Sequence, residues 1–358
     1  MRGGGAGSEA EARPPRRRPH PPSLAPFLQF RRETAPPAGV AIVAPLFRTN
    51  IYGIVGGGRN PAAAPNCVGV WDEAAAARAG ELSFRSAVRA VALRRDAIAV
   101  ALSSRALLYS LGDLRLVAAA DTAPNDAGLL ALATGPARVM AAPGPASVGC
   151  VRVEHVDVGR SVFIRAHASR VAAIALTPDG ALLASASTRG TLIRLHATAD
   201  GSRLRELRRG ADPAAPLALA FSAAPTGGAS PRWLAAASDK GTGHLFALGE
   251  REREPAEERA RGFAAARALA ARLAPSFARS ARSVAKFKLP PGSAESGCAL
   301  AFGGDGGVLF AASASGCATA LSLAAAPAGG RAPDGPVRLE ALWSTDLADV
   351  PPAAAGGG

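Results

Sequence analysis

Aromatic residues make up only 5% of this 358-residue chain, and cysteine appears four times. Few aromatics leave few platforms on which single-stranded nucleic acid could stack, which disfavours single-strand binding and makes nucleic acid the least expected of the candidate anionic partners. Cys67, Cys150, Cys298 and Cys317 form no Cys-x-x-Cys pair, and no histidine stands at metal-ligand spacing. Neither a disulfide framework nor a zinc site is therefore expected, and the usage fits a reduced, intracellular protein. No apolar run approaches the roughly 18 residues of a membrane span. The start lacks a positive-then-apolar secretory signal, and Glu9 and Glu11 interrupt its arginines in a way that a transit peptide would not. No Ser-His-Asp, Cys-His or carboxylate pair stands out, so no catalytic residue, metal or cofactor is expected. Gly56-Gly57-Gly58 follows a strand-like run, but no Lys-Ser/Thr comes after it, which excludes a phosphate-cradling P-loop.

What is present is arginine and alanine. The formal net charge is +13, and the 48% hydrophobic content is largely alanine. Alanine buries little area, so the core should be thin for its composition. The excess of cations favours an anionic partner: nucleic acid, a phospholipid surface or an acidic protein. A compositional bias raising Arg, Ala, Gly and Pro together would account for part of the excess without any function.

Residues 1–39 are rich in Gly, Pro and Arg, with one apolar island at Leu24–Leu28, and read as a disordered basic tail. From Val40 to about residue 345, short β-like runs alternate with turn signals. They include Leu46–Val55, Cys67–Trp71, Leu82–Leu93, Ala97–Leu102, Leu107–Leu111 and Val148–Val156. Ala166–Gly210 is the clearest unit. Strands over Val171–Leu176, Leu182–Ala186, Thr191–Leu195 and Leu204–Leu207 are separated by Pro178-Asp179-Gly180, Thr188-Arg189-Gly190 and Ala199-Asp200-Gly201. A second copy follows, over Leu217–Phe221, Trp233–Ser238 and Thr242–Leu248, and a last one spans Cys298–Leu323. Such repetition predicts an all-β propeller of WD-type repeats, and the length suits seven blades of about 40–45 residues. Residues 346–358 read as a flexible tail.

The first unit closes on Leu207-Arg208-Arg209-Gly210. Neighbouring side chains on a strand point to opposite faces. Arg208 and Arg209 should therefore serve two pockets, one on each side of the same blade. Each guanidinium is a permanently charged fork matched to phosphate oxygens, so the pair predicts a twin anion site. His167, Ser187, Thr191 and Arg194 in the first copy, and Ser238, Thr242 and His244 in the second, stand where they could line those pockets. They are also ordinary positions for hydrogen bonds within a WD-type blade, and the residues alone leave both readings open.

Arg259–Lys288 contains no acidic residue. Phe263, Ala266, Ala270, Leu273 and Phe277 recur at helical spacing among its arginines, with a break at Pro275. A basic amphipathic stretch over residues 250–289 suggests a membrane surface, with a compositionally biased loop as the alternative.

Pro45-Leu46-Phe47-Arg48-Thr49-Asn50, Val55-Gly56-Gly57-Gly58, Pro65-Asn66-Cys67-Val68, Trp71-Asp72, Leu93-Arg94-Arg95-Asp96, Ala184-Ser185-Ala186-Ser187, Gly190-Thr191-Leu192-Ile193-Arg194 and Glu206-Leu207-Arg208-Arg209-Gly210 occur in this order. The set resembles the PROPPIN family of WD-repeat phosphoinositide-interacting proteins, abbreviated WIPI in animals. Leu before Arg-Arg-Gly and Lys286-Phe287-Lys288-Leu289-Pro290 look closest to the third and fourth animal paralogues. The resemblance implies a seven-bladed propeller that binds phosphatidylinositol 3-phosphate and phosphatidylinositol 3,5-bisphosphate and acts with autophagy proteins in autophagosome formation. It implies a monomer in the cytoplasm, peripheral on preautophagosomal, endosomal or vacuolar membranes. Carried over, the first pocket takes His167, Ser187, Thr191, Arg194 and Arg208, and the second takes Arg209, Ser238, Thr242 and His244. The stretch 250–289 becomes a membrane loop of the sixth blade, with Phe263, Leu273 and Phe277 as inserting residues. Residues 1–39 lack a match to the family's first blade, which is expected to be degenerate or missing. A protein-scaffold propeller that binds an acidic partner remains the alternative.

Overall fold

The computed structural model describes residues 39–145, 148–224, 231–248, 281–304, 306–324 and 338–346. Most of the 1–39 tail, the 346–358 tail beyond Asp346, and Phe263, Leu273 and Phe277 lie outside these residues.

The described chain forms six sheets in sequence order, antiparallel throughout except for one edge pairing in sheet four. Sheet one is β1 (Val40–Pro45), β2 (Ile51–Gly56), β3 (Cys67–Asp72) and β4 (Ala77–Ser83). Sheet two is β5 (Ala90–Arg94), β6 (Ala97–Ala101), β7 (Arg105–Ser110) and β8 (Leu116–Asp121). Sheet three is β9 (Ala131–Leu132), β10 (Val139–Pro143), β11 (Cys150–His155) and β12 (Arg160–Arg165). Sheet four holds β13 (Val171–Leu176), β14 (Leu182–Ser187), β15 (Leu192–Ala197) and β16 (Arg203–Arg208). Sheet five holds β17 (Pro216–Phe221), β18 (Trp233–Ser238) and β19 (Thr242–Ala247). The chain then returns from residue 281 by way of two sheets. Its first piece, β20 (Ala281–Arg282), lies parallel to β16 on the outer edge of sheet four. Its second, β21 (Ala285–Lys288), completes sheet five against β19. Sheet six is β22 (Cys298–Phe302), β23 (Val308–Ser313), β24 (Cys317–Ala324) and β25 (Arg338–Asp346).

This is a β-propeller. The seven blades expected from the family resemblance are corrected to six among the described residues. Residues 1–38, where the resemblance leaves the first blade unmatched, lie outside the described residues.

The inner blades, sheets two to five, are apolar on both faces because each is sandwiched between neighbours. Ile98, Val68 and Val55 pack sheet one on sheet two. Ala99, Leu108 and Met140 join two to three, and Val151, Val153 and Leu183 join three to four. Ile193, Leu207 and Phe246 join four to five, and Leu245, Phe287 and Leu309 join five to six. The interface between sheets two and three is mostly alanine, so it buries less area per residue than the leucine- and phenylalanine-bearing ones. Among the described residues no core cluster joins sheet six to sheet one. On that side of β1, Val40 is 42% and Val43 59% exposed.

The repeat is also visible in its irregularities. The inner strand shifts register near its start in sheets one, four and five, at Val40/Ile42, Val171/Ala173 and Pro216/Ala218. Such bulges bend a strand at a fixed point of the unit. Arg94 shows how this fold uses an arginine for structure. It is 5% exposed, bonds Asp96 at 2.5 Å, and donates to the carbonyls of Ala133, Gly135, Pro136 and Ala137, tying sheet two to sheet three.

Candidate anion-binding clusters on both sides of sheet four

Leu207 is buried in the core between sheets four and five. The pleat therefore turns Glu206 and Arg208 to the opposite face, toward sheet three. Across the ladder, Leu192 stands opposite Arg208, and Arg194 opposite Glu206. By the same alternation Ser185 and Ser187 on β14 share this face with Leu183, which packs on sheet three. The first cluster is thus Arg208, Arg194, Glu206, Ser185, Ser187 and His167. Arg194 Nε donates to Glu206 Oε2 at 2.9 Å, and its Nη1 to the Ala166 carbonyl at 2.7 Å. His167 Nε2 meets Ser185 Oγ at 3.0 Å. Burial, and then the Arg194 charge, push the His167 imidazole down to about 4, so it is neutral at neutral pH.

Arg209 goes the other way. Its backbone N–H continues the ladder to the Thr191 carbonyl at 3.0 Å. Its Nε donates to the Gly190 carbonyl at 2.6 Å, and its Nη2 to the Asp212 carbonyl. Gly190 makes this anchor possible: its φ is +62°, and a Cβ there would lie 1.7 Å from the Ala214 carbonyl oxygen. Arg209 bears on sheet five. Its charge is the second cause, after burial, that pushes buried His244 down to about 4, and Lys286 is the third. Burial also lowers Arg209 itself, opposed by Asp239 and Asp212. Ser238, Thr242 and His244 share the sheet-four side of sheet five with Phe246, and Ser238 Oγ donates to the Thr242 carbonyl at 3.1 Å.

Adjacent arginines therefore do face different blades. The structure brings His167, Ser187, Arg194 and Arg208 to one side, and Arg209, Ser238, Thr242 and His244 to the other. Thr191 sits at the turn between them. The two readings of the polar residues both hold in part. His167, Arg194 and Ser238 make bonds within the blade, whereas among the described residues no hydrogen bond reaches the hydroxyls of Ser187, Thr191 or Thr242.

The sequence reading left several neighbours unassigned. Glu206 neutralises Arg194. Asp239 has a buried Oδ1 with no hydrogen-bond partner, close to Arg209. Ser283 Oγ meets His244 Nδ1 at 3.2 Å, and Lys286 pairs with His244 across the ladder. The acid-free composition of 259–288 was the available signal for the last two. A separate cavity of about 380 Å³, lined by Asn125, Pro143, Cys150 and Arg170 among others, contains none of the predicted site residues. Among the described residues no group of His, Cys, Asp and Glu could hold a metal ion, and no helix is long and apolar enough to cross a membrane.

Repeated four-stranded sheets, with one blade contributing to a polar cluster on either side, define a WD-type β-propeller. Solved propellers share its shape. Hsv2 from Kluyveromyces lactis superposes with a TM-score of 0.64 at 21% identity, over 86% of this chain and 87% of that one. The structure titled "Complex of KlAtg21 with coiled-coil of AgAtg16" gives 0.63 at 19%, over 88% of each chain. The family model named PROPPIN matches residues 36–319, and the chain belongs to that family. SVP1-like protein 2 of Neurospora crassa is 39% identical over 58% of this chain and 47% of its own length. Autophagy-related protein 18e of Arabidopsis thaliana is 36% identical over 63% of this chain and 59% of its own. The matched part of the chain thus spans about half to three-fifths of these relatives.

Proposed function

We propose that this chain is a phosphoinositide effector. It binds phosphatidylinositol 3-phosphate and phosphatidylinositol 3,5-bisphosphate through the two clusters and recruits autophagy proteins to forming autophagosomes. The observation that carries the reading is the pair Arg208 and Arg209, turned to opposite faces of one blade beside unengaged hydroxyls. The inositol phosphates supply the anions for these forks, and the bilayer presents many headgroups to one rigid body. Membership of the PROPPIN family and relatives with autophagy in their names support it. The protein is a monomer, cytoplasmic and peripheral on preautophagosomal, endosomal or vacuolar membranes.

No turnover of the lipid is expected. Ser185 is fully buried, and the charge beside its partner His167 is a guanidinium rather than the carboxylate of a hydrolytic triad. Liposome flotation tests the proposal. Changing Arg208 and Arg209 together to Thr removes two charge-assisted contacts of roughly 1.5–3 kcal/mol each. Binding to vesicles bearing 3-phosphorylated lipid should fall at least several tens-fold while the protein stays folded, with only the modest loss of stability that removing the Arg209 bonds to the Gly190 and Asp212 carbonyls entails. Flotation equal to the native protein's would rule the reading out.

A further inference from the structure

The segment that re-enters the fold after residue 280 does more than complete sheet five. β20 lies parallel to β16 with Arg282 directly opposite Arg208. Its neighbour Ala281 packs into the core between sheets four and five. Arg282 therefore takes the other face, which is the face of Arg208 and the first cluster. The register thus sets two arginines opposite each other on adjacent strands, which concentrates like charge on this face. Among the described residues Arg282 has no acidic partner to offset this.

Four residues on, the segment reaches the second cluster. Lys286 stands opposite His244, while its neighbour Phe287 packs between sheets five and six. Lys286 thus shares the face of His244 and Arg209, and it too has no acidic partner among the described residues. Its charge, with that of Arg209, contributes to keeping His244 neutral. The bond from Val284 N–H to the Leu245 carbonyl, 2.8 Å long, fixes the chain between the two positions. One short piece of backbone thereby sets a second cation beside each arginine of the pair.

We propose that the re-entering segment Ala281–Lys288 supplies a further binding residue to each cluster, Arg282 to the first and Lys286 to the second, each for a phosphate group of the headgroup held there. The inference rests on the phosphoinositide reading and deepens it. An anion bridging Arg208 and Arg282 offsets the like charge, and a phosphomonoester has enough oxygens to accept from both forks. The same chemistry is offered by a lipid headgroup and by a free inositol phosphate.

The test uses the full chain with one cluster disabled at a time. Soluble inositol 1,3-bisphosphate is titrated calorimetrically. In the Arg209→Thr background only the first cluster remains. There Arg282→Gln should lower affinity roughly ten-fold and Lys286→Gln less than about two-fold. In the Arg208→Thr background the pattern should reverse. Arg282→Lys, which keeps the charge and loses the fork, should fall between native and Gln. Vesicles of phosphatidylcholine with and without phosphatidylinositol 3-phosphate form the lipid arm. Arg282→Gln with Lys286→Gln should remove most of the 3-phosphate-dependent binding. A lipid effect without a soluble-headgroup effect overturns the proposal, because the two cations then serve the membrane surface generally. Equal weakening in both backgrounds, or none in either, also overturns it while leaving the headgroup reading standing. Failure of the native chain to bind either probe overturns both.

Discussion

Glu206→Gln should weaken the fold slightly and strengthen the first cluster. Glu206 is 12% exposed at its side chain, bonds Arg194 at 2.9 Å and lies 3.6 Å from Arg203. Glutamine keeps an oxygen for Arg194 Nε, so the loss of stability should be about 1 kcal/mol. The electrostatic effect has the opposite sign. Glu206 and Arg208 are two residues apart on one strand face, about 7 Å. At an effective dielectric of about 40, a unit charge at that distance is worth about 1.2 kcal/mol. A phosphomonoester carries about −1.5 to −2 charges, which brings the repulsion to about 2 kcal/mol. Screening at physiological salt, with a Debye length of about 8 Å, leaves roughly 0.9 kcal/mol. Headgroup affinity should therefore rise about four-fold, and more at low salt. The assay is calorimetric titration with inositol 1,3-bisphosphate in the Arg209→Thr background, beside a thermal melt. An affinity unchanged at both low and physiological salt would show that no phosphate sits at Arg208. A fall of several-fold with the fold intact would show that Glu206 serves chiefly to aim Arg194.

Phe263→Ser, Leu273→Ser and Phe277→Ser together should weaken liposome binding strongly and leave soluble headgroup binding unchanged, because insertion contributes by avidity, roughly 10²–10⁴-fold. Equal loss in both assays would make that stretch a support for the clusters instead. Acid should destabilise the protein well before its carboxylates titrate. His167, His196 and His244 are each held near 4 by burial first, and then by Arg194 for His167, by His167 and the arginines Arg194 and Arg203 for His196, and by Arg209 and Lys286 for His244. The native state keeps them neutral while the unfolded chain takes up protons below about 6.5. Their contribution is complete above pH 6.5 and is lost as pH falls toward 4. It amounts to about 1–2 kcal/mol each once solvent screening is allowed for. Chemical denaturation at a series of pH values checks this, and a flat free energy from pH 7 to pH 5 contradicts it.

The strands of sheets four and five were the most legible from sequence, because Pro178-Asp179-Gly180, Gly190 and Gly201 mark their turns. The expected Val171–Leu176 and Trp233–Ser238 are the observed β13 and β18. Elsewhere runs merged or vanished. Leu46–Val55 has the pattern of one run, yet Leu46–Asn50 is a hairpin turn between β1 and β2, with Phe47 at a φ of 51° and no Gly-based signal. Arg160–Arg165 forms the outer strand β12, whose half-exposed, polar pattern lacks the apolar alternation that announces a strand. The opposed arginines were legible because the face of a side chain follows from strand parity alone. Glu206, Arg282 and Lys286 were not, since their roles depend on which strands pair, and the β16–β20 contact joins positions more than seventy residues apart. The blade number is not legible in the sequence, because resemblance of the parts does not count them; six are present among the described residues.

A closed propeller is a ring, in which every blade has two neighbours and no blade comes first. Among the described residues the core clusters link the six sheets as a row, from sheet one through to sheet six. Stability in a row is a sum of unit and nearest-neighbour terms, and it is lost from the ends inward. Among the described residues sheets one and six each take part in one core cluster where the inner sheets take part in two, and the alanine-built contact between sheets two and three is the weakest seam in the interior. Amide exchange should therefore quicken toward both ends. Sheet four, which carries both arginines, keeps a neighbour on either side whichever end opens.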